Sequence, residues 1–417
     1  MNMKDKVGLV ACIRPEYASR FKCDGQVCGA ACCRNWNIVI DEDTYQKYRK
    51  VKLKNLRAKL RQNLVTKEYE GSLQHFIKLD HTGACPFLQP DDFCKIQRAC
   101  GEEYLSKICR TYPRLITKLA ENLAEETLTL SCPVAARCCL LNREPLRFEQ
   151  IERDLSRMSL SYFSAGDLLQ PALLPMQGSA LGILQRRIEE RPDLRFVLLG
   201  FFLDRADELT QEEKVGEIEN CGQSYLSGAL DGEAEQALRL CPGDVKAYVR
   251  HMLTVLELFY GDENRHFEHM SVQPYLDSVM NAYGIQSEEV VLSDVAEHYV
   301  RIRGTYCDKI YREYGYILSN YFLNHYFSLL YPYGVHEKAA VAYEFFVTVC
   351  KLAEFFALAF VDRHKDETSE DDMIELLRYV DSKIIHNQKD RINLLQMIKD
   401  GERGFLDVMR LMLDGGC

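Results

Sequence analysis

Eight cysteines, each set among distinctive neighbours, punctuate the first third of this 417-residue chain. The run opens with Phe21-x-Cys23-x4-Cys28-x3-Cys32-Cys33-x2-Trp36 and continues with Cys85-Pro86-Phe87-Leu88 and Cys94-x-Ile96. It closes with Gly101-Glu102-x2-Leu105-Ser106-x2-Cys109-x2-Tyr112-Pro113-Arg114 and Ser131-Cys132-Pro133. Thiolates this dense point to metal, because thiolate is the soft ligand that zinc and iron–sulfur clusters select. A disulfide framework suits short secreted chains with an even cysteine count, and here the count is 17 in a long chain. The opening residues hold no leader-like apolar run, and no stretch approaches the roughly 18 apolar residues of a membrane span. The expectation is a cytoplasmic protein with reduced cysteines and no membrane association.

Metal bookkeeping narrows the options without closing them. One structural zinc needs four ligands, commonly from two CxxC-like pairs. Cys23, Cys28, Cys32, Cys33, Cys85, Cys94, Cys109 and Cys132 exceed one zinc site and include no such pair. They suit a cubane cluster with a structural zinc, two clusters, or one cluster with packing cysteines beside it. The CxxxCxxC triad of radical enzymes is not met, since Asn35 stands where its third cysteine belongs. If Gln26 to Trp36 is helical, Cys28 and Cys32 share a face while Cys33 points about 100° away. Cys12, Cys100, Cys138 and Cys139 read as packing residues. Cys221, Cys241, Cys307, Cys350 and Cys417 read as core or free thiols.

Charge divides the chain. Residues 1–140 carry 23 Lys and Arg against 16 Asp and Glu, a formal +7, and the remainder carries 29 against 46, a formal −17. Arg34, Arg110 and Arg114 would stabilise an anionic cluster held by thiolates. The acidic remainder does not suit nucleic acid, which needs a basic face. It suits a lysine-rich protein surface.

Periodicity predicts a mainly α fold: an irregular, cysteine-rich metal-binding module over 1–140, then a multi-helix domain over 141–417 that binds substrate or partner. Residues 43–62 read as an exposed amphipathic helix, residues 101–110 as a helix ended by Tyr112-Pro113, and Ile38–Ile40 as a short strand. Phe148, Ile151, Leu155 and Met158 repeat at helical spacing. Further helices follow Pro242-Gly243-Asp244, Ser293-Asp294 and Ser369, and Pro332-Tyr333-Gly334 breaks an aromatic stretch from the apolar run Ala339 to Phe360. Strand-like alternation is almost absent. The aromatic band Tyr311, Tyr314, Tyr316, Tyr321, Phe322, Tyr326, Phe327, Tyr331 and Tyr333 is either helix core or the lining of a cation pocket. No GxGxxG, GxxxxGK[ST] or HExxH motif occurs, so a Rossmann-type donor site has no support.

The cysteine pattern with its neighbours resembles the putative zinc- or iron-chelating cysteine-cluster proteins, and among them the flagellin lysine-N-methylase family. Asn320-Tyr321-Phe322 and the Pro332-Tyr333-Gly334 break are similar too. The resemblance implies S-adenosylmethionine-dependent methylation of lysine ε-amines on flagellin, by an enzyme carrying a four-iron, four-sulfur cluster, with the eight cysteines as the metal set. Zinc in a structural or adaptor protein is the alternative. Catalytic and donor-binding residues are not singled out.

Overall fold

The computed structural model describes residues 9–23, 28–34, 36, 38–69, 71–166, 169–186, 192–240, 243–260, 273–285, 290–386 and 388–413. The start signal at Pro242 and the thiols Cys241 and Cys417 lie outside them. The chain forms two units: one built from 1–138 and 147–163, the other from 139–146 and most of 164–417. Among the described residues no helix is long and apolar enough to cross a membrane.

The first unit holds more strand than the periodicity suggests. Strand β1 (Leu9–Pro15) leads to a short helix α1 (Tyr17–Arg20) and then β2 (Val39–Ile40). Helices α2 (Glu42–Arg49) and α3 (Lys54–Asn63) replace the single helix expected over 43–62. Asp41 caps α2 by accepting a bond from Thr44 N, and Val51 turns into the core between the two helices. The hairpin β3 (Leu64–Tyr69) and β4 (Ser72–Ile77) turns at Gly71, whose φ of +73° suits glycine. With β2 it makes a three-stranded antiparallel sheet in the order β2-β4-β3. Helix α4 (Lys95–Cys100) and α5 (Lys107–Thr111) follow, separated by a 3₁₀ turn at Glu102–Tyr104, so the helix expected over 101–110 is broken. Ser106 ends that break as the N-cap of α5, and Tyr112-Pro113 stops it as expected.

A second sheet runs β7-β1-β6-β5-β8. The hairpin β5 (Arg114–Ala120) and β6 (Leu123–Leu128) supplies its centre, and helix α6 (Pro133–Leu140) follows. The segment expected to be helical from Phe148 is instead β7 (Phe148–Asp154), antiparallel to β1 from Leu9↔Asp154 to Pro15↔Phe148. Its apolar spacing mimics a helix only because Leu155 and Met158 lie beyond the strand, where a turn folds them over the sheet. Within the strand the period is two: Glu149, Ile151 and Arg153 share a face. Strand β8 (Ser161–Tyr162) closes the far edge beside β5.

That face carries a small core of Val10, Cys12, Ile116, Ala124 and Leu155 at one end. At the other, the buried carboxylate of Glu126 lies among Arg153 at 2.6 Å, Arg114 at 3.4 Å and Arg14 at 3.9 Å.

The second unit is helical, as expected. It contains α7 (Leu173–Leu184), α8 (Pro192–Gln211), α9 (Ile218–Leu226), α10 (Asp231–Leu240), α11 (Val245–Tyr260), α12 (Gln273–Tyr283), α13 (Leu292–Ser328), α14 (Ala339–His364), α15 (Glu370–Asp381), α16 (Gln388–Gly401) and α17 (Phe405–Met412). Helix α14 is largely apolar all round and is buried at every position from Ala342 through Val361, after half-buried Ala340 and Val341. Such a helix must sit at the centre of its neighbours, and α8, α11, α12, α13, α15, α16 and α17 all pack on it. Ser369 caps α15 through a reciprocal capping box with Asp372.

This core contains ions. Lys351 of α14, wholly buried, donates to Asp193 Oδ1 at 2.6 Å and Glu354 Oε2 at 2.8 Å. Tyr311 donates to the other Glu354 oxygen. Arg195 donates to Ser319 Oγ at 2.7 Å and lies over the rings of Phe196 and Phe322. Removing one partner of such a buried pair strands the other charge, which costs about 3–5 kcal/mol.

Two buried histidines set an acid limit. His251 Nε2 meets Thr348 Oγ1 at 3.1 Å, and His325 Nε2 meets the Tyr331 hydroxyl at 3.0 Å. Burial pushes both pKa values down to about 3. Folded, they stay neutral, whereas the unfolded chain takes up protons near pH 6.5. Their contribution is therefore complete above that pH and is lost as pH falls towards 3. Chemical denaturation should show His325→Gln removing about 2 kcal/mol from the stability lost between pH 7 and 5. An unchanged pH dependence in this variant would refute the assignment.

Candidate metal centre

The front unit gathers its cysteines by short, local constraints. Gly29 and Ala30 both adopt left-handed backbone, with φ of +58° and +52°, so no continuous helix joins Cys28 to Cys32. Ala31–Cys33 form a 3₁₀ turn instead. Trp36 Nε1 donates to Cys32 O at 2.5 Å, and Cys85 N donates to Cys33 O at 2.7 Å. This last bond, with the Arg34–Ala84 bridge, sets Cys85 beside Cys33.

Cys85-Pro86-Phe87-Leu88 turns back on itself through Leu88 N to Cys85 O, and a bridge from Leu88 to Cys94 brings in the next thiol. Cys94 stands at the N-cap of α4. Cys109 lies in α5, whose first turn is fixed by Ser106 Oγ and by Asp41 Oδ2 accepting from Lys107 N at 2.8 Å. Cys132 immediately precedes α6, and its carbonyl accepts from Ala136 N.

All eight sequence-selected cysteines line one cavity of about 100 Å³. Phe21, Ile38, Ile40, Tyr48, Phe87 and Pro113 are among the apolar groups that complete its wall. Tyr48 was hidden in the sequence by the charged residues around it in α2, although Thr44, four residues earlier, shares its buried face. The remaining early cysteines stand elsewhere. Cys12 is buried in the larger sheet, Cys100 packs behind the cavity, and Cys138 and Cys139 lie in α6. Cys350 is buried in α14 and Cys221 is half-buried. Cys307 is buried, as a core reading expects, but it is disulfide-bonded, which corrects its reading as a free thiol and the expectation that the cysteines are all reduced.

Cys32 and Cys33 do not diverge as an α-helix would require. Both turn into the cavity from the 3₁₀ turn, with their sulfurs 3.8 Å apart. That separation equals the edge of a tetrahedron with metal–sulfur bonds of about 2.3 Å. Among the described residues, however, no three His, Cys, Asp or Glu side chains converge as they would round a single bound ion. The sulfurs instead line the cavity of about 100 Å³. The donor set is all thiol, which suits zinc or an iron–sulfur group and does not suit a hard cation.

Electrostatics give the arrangement a direction. Burial raises the thiols of Cys109 and Cys132 to about 12 and also raises Cys94. Contact with the Cys33 thiol lowers Cys32 and Cys85, and Cys33 is raised in turn. Cys94, Cys109 and Cys132 therefore resist ionisation, which a bound cation would reverse. The three arginines expected beside the thiolates all have carboxylate partners. Arg34 lies 3.5 Å from Asp92, Arg110 lies 3.8 Å from Glu102, and Arg114 lies beside Glu126 while stacking on the cavity residue Phe21. The aromatic band of the helical unit is core: eight of its nine members are buried and Tyr316 is half-buried.

The helical unit provides the comparison that decides the family. The FliB lysine N-methylase C-terminal domain matches residues 179–413. The chain belongs to the FliB lysine N-methylase family. The match lies in the helical unit, and the cysteine module precedes it. Among relatives, the flagellar biosynthetic protein FliU of Salmonella muenchen is 32% identical over 120 residues, covering 28% of this chain and 70% of that protein. The lysine-N-methylases of Salmonella typhimurium and Salmonella choleraesuis are 32% and 31% identical over 120 residues. That stretch covers 28% of this chain and 30% of each enzyme, so the chain spans about a third of their length in alignment. No solved structure matches.

The geometry predicts that metal retained by the purified protein depends on the cavity thiols. Cys32→Ser and Cys85→Ser should each lose most of it, and lose stability with it, because metal binding and folding are linked. Cys221→Ser and Cys350→Ser should retain it in full. Elemental analysis decides: full metal in the first pair, or loss in the second, would contradict the prediction.

Proposed function

We propose that this protein is an S-adenosylmethionine-dependent methyltransferase for lysine ε-amines of flagellin, acting in the cytoplasm with an iron–sulfur cluster held by the cysteine cavity. Two observations support the reading together: membership of a lysine N-methylase family, and the gathering of all eight cysteines on one wall. Lysine-N-methylase and flagellar biosynthetic protein are the names of relatives, and they motivate the choice of flagellin as substrate.

Cys23, Cys28, Cys32, Cys33, Cys85, Cys94, Cys109 and Cys132 are the residues available to hold the cluster, four thiolates for each cubane. The spread of the sulfurs favours a cluster over a lone zinc, since thiolates on different irons stand further apart than those on one ion. The close Cys32–Cys33 pair favours the second reading, a zinc-bound structural or adaptor protein. A broad absorption band near about 400 nm with about four irons per chain separates the two, because zinc is d¹⁰ and colourless.

S-adenosylmethionine supplies a methyl group on a positively charged sulfonium. The target amine, with an ordinary pKa near 10.4, must reach it unprotonated. Desolvation and the neighbouring sulfonium both favour that neutral form. The protein's part is to draw in a lysine-rich surface, for which the formal −17 after residue 140 is suited.

The experiment is incubation with S-adenosylmethionine and flagellin from the same host, followed by peptide mass spectrometry for single-methyl additions on lysine. Methylation at low substrate should fall several-fold between about 50 and 300 mM salt while the saturated rate changes little, since salt screens encounter. Metal- and donor-loaded protein that leaves flagellin unmodified would reject the methylase reading.

A further inference from the structure

One cation in the core of the helical unit is met by no carboxylate. Arg195 stands in the first turn of α8, the end of a helix where negative charge is favoured. The residue is 2% exposed. Its Nη1 donates to Ser319 Oγ at 2.7 Å, and its guanidinium lies 5.4 Å from the centre of the Phe196 ring and 5.0 Å from that of Phe322. Ring faces attract the charge, but they do not replace oxygen acceptors for the N–H groups. Nε and Nη2 are both buried and meet no acceptor among the described residues. Charged donors left unmet in a core are costly.

The two unmet nitrogens form one edge of the planar guanidinium. Their N–H bonds run parallel and match the two oxygens of a carboxylate. The neighbouring charges leave room for one more anion. Asp193 and Glu354 both accept from Lys351, and Glu354 also accepts from Tyr311. The charge of Arg303 bears on Asp193 as well. Arg195, Arg303 and Lys351 against Asp193 and Glu354 give three positive charges and two negative, a formal +1. A single added negative charge balances the group.

We propose that Arg195 holds a small monovalent carboxylate-type anion, of which formate is the simplest, through Nε and Nη2 inside the helical unit. The site lies within the residues that the family domain matches, and it depends neither on the cysteine cavity nor on the methylase reading. The anion sits where Arg195 of α8 already bonds Ser319 of α13, so it strengthens the join between those two helices. The amino-acid end of a larger molecule carries the same carboxylate, and methionine serves as the probe for that source.

The test uses the full chain in a buffer whose ionic strength is set by a bulky sulfonate. Thermal unfolding is followed as formate replaces the sulfonate, because an anion that binds the folded state raises the midpoint with its concentration. Formate should raise the midpoint saturably, and planar nitrate should do so more strongly than chloride of equal charge. Arg195→Lys keeps the charge and loses the fork, and Arg195→Met loses both; each should bind formate at least ~10-fold more weakly. Far-UV circular dichroism checks that both variants keep their helices, and the nitrate–chloride contrast in the unaltered chain holds whether or not they fold. Ser319→Ala leaves Nε and Nη2 untouched and should keep the response, as should Arg239→Gln on the exposed surface. A midpoint that ignores formate, the result for water alone at the site, would overturn the proposal. So would a formate response that a folded Arg195→Lys retains in full, or a chloride response equal to that of formate and nitrate. Methionine that stabilises only when Arg195 is present assigns the carboxylate to an amino-acid end; methionine without effect beside active formate assigns it to a free small anion.

Discussion

Eight cysteines line one largely apolar cavity, and burial makes Cys94, Cys109 and Cys132 among them reluctant to ionise unless positive charge stands nearby. Burial raises the Cys109 and Cys132 thiols, and Cys33 stands in contact with both Cys32 and Cys85. A bound cation would favour their ionised form, and as its ligands they would give the surrounding loops a common anchor. The sequence segments that meet there, around residues 32, 85, 94, 109 and 132, are mostly turns and one-turn helices. Most of them share one apolar core that includes Ile38, Ile40, Phe87 and Ile96.

The helical unit solves the opposite problem. Its central helix is so well covered that polar groups on it must find partners inside, and Lys351 does so with two carboxylates while Tyr311 completes one of them. Ion clusters of this kind fix which helices meet in which register, because a one-residue slip would leave a bare charge in the core. Asp193 of α8, Tyr311 of α13 and Lys351 of α14 are thereby set as a group.

Much of this was readable from residues alone. The helical part announced itself through apolar spacing, and the all-round apolarity of Ala339 to Phe360 marked the central helix. The cysteines selected by their neighbours are the ones on the cavity wall, and Cys12, Cys100, Cys138 and Cys139, which lack such neighbours, are not. What escaped was non-local. The strand from Phe148 exists because β1 offers it a free edge more than 130 residues earlier in the chain. The angle between Cys32 and Cys33 depended on two consecutive left-handed residues, one of them an alanine, for which the sequence carries no signal. The position of Tyr48 likewise depended on a core supplied by later segments.

The return of residues 147–163 to the front sheet has a bearing on how the protein is made. The chain leaves the first unit at about residue 139, contributes a few residues to the second, and comes back to lay strands on both outer edges of a sheet begun at residue 9. The module is thus not a contiguous piece that one scissile point could release. A fragment ending at 140 would present the bare backbone of β1 and β5 to any strand nearby. During synthesis the ribosome must deliver some thirty residues beyond the last cavity cysteine, Cys132, before both of those edges are covered, so every cavity cysteine is made before the strands that finish the sheet.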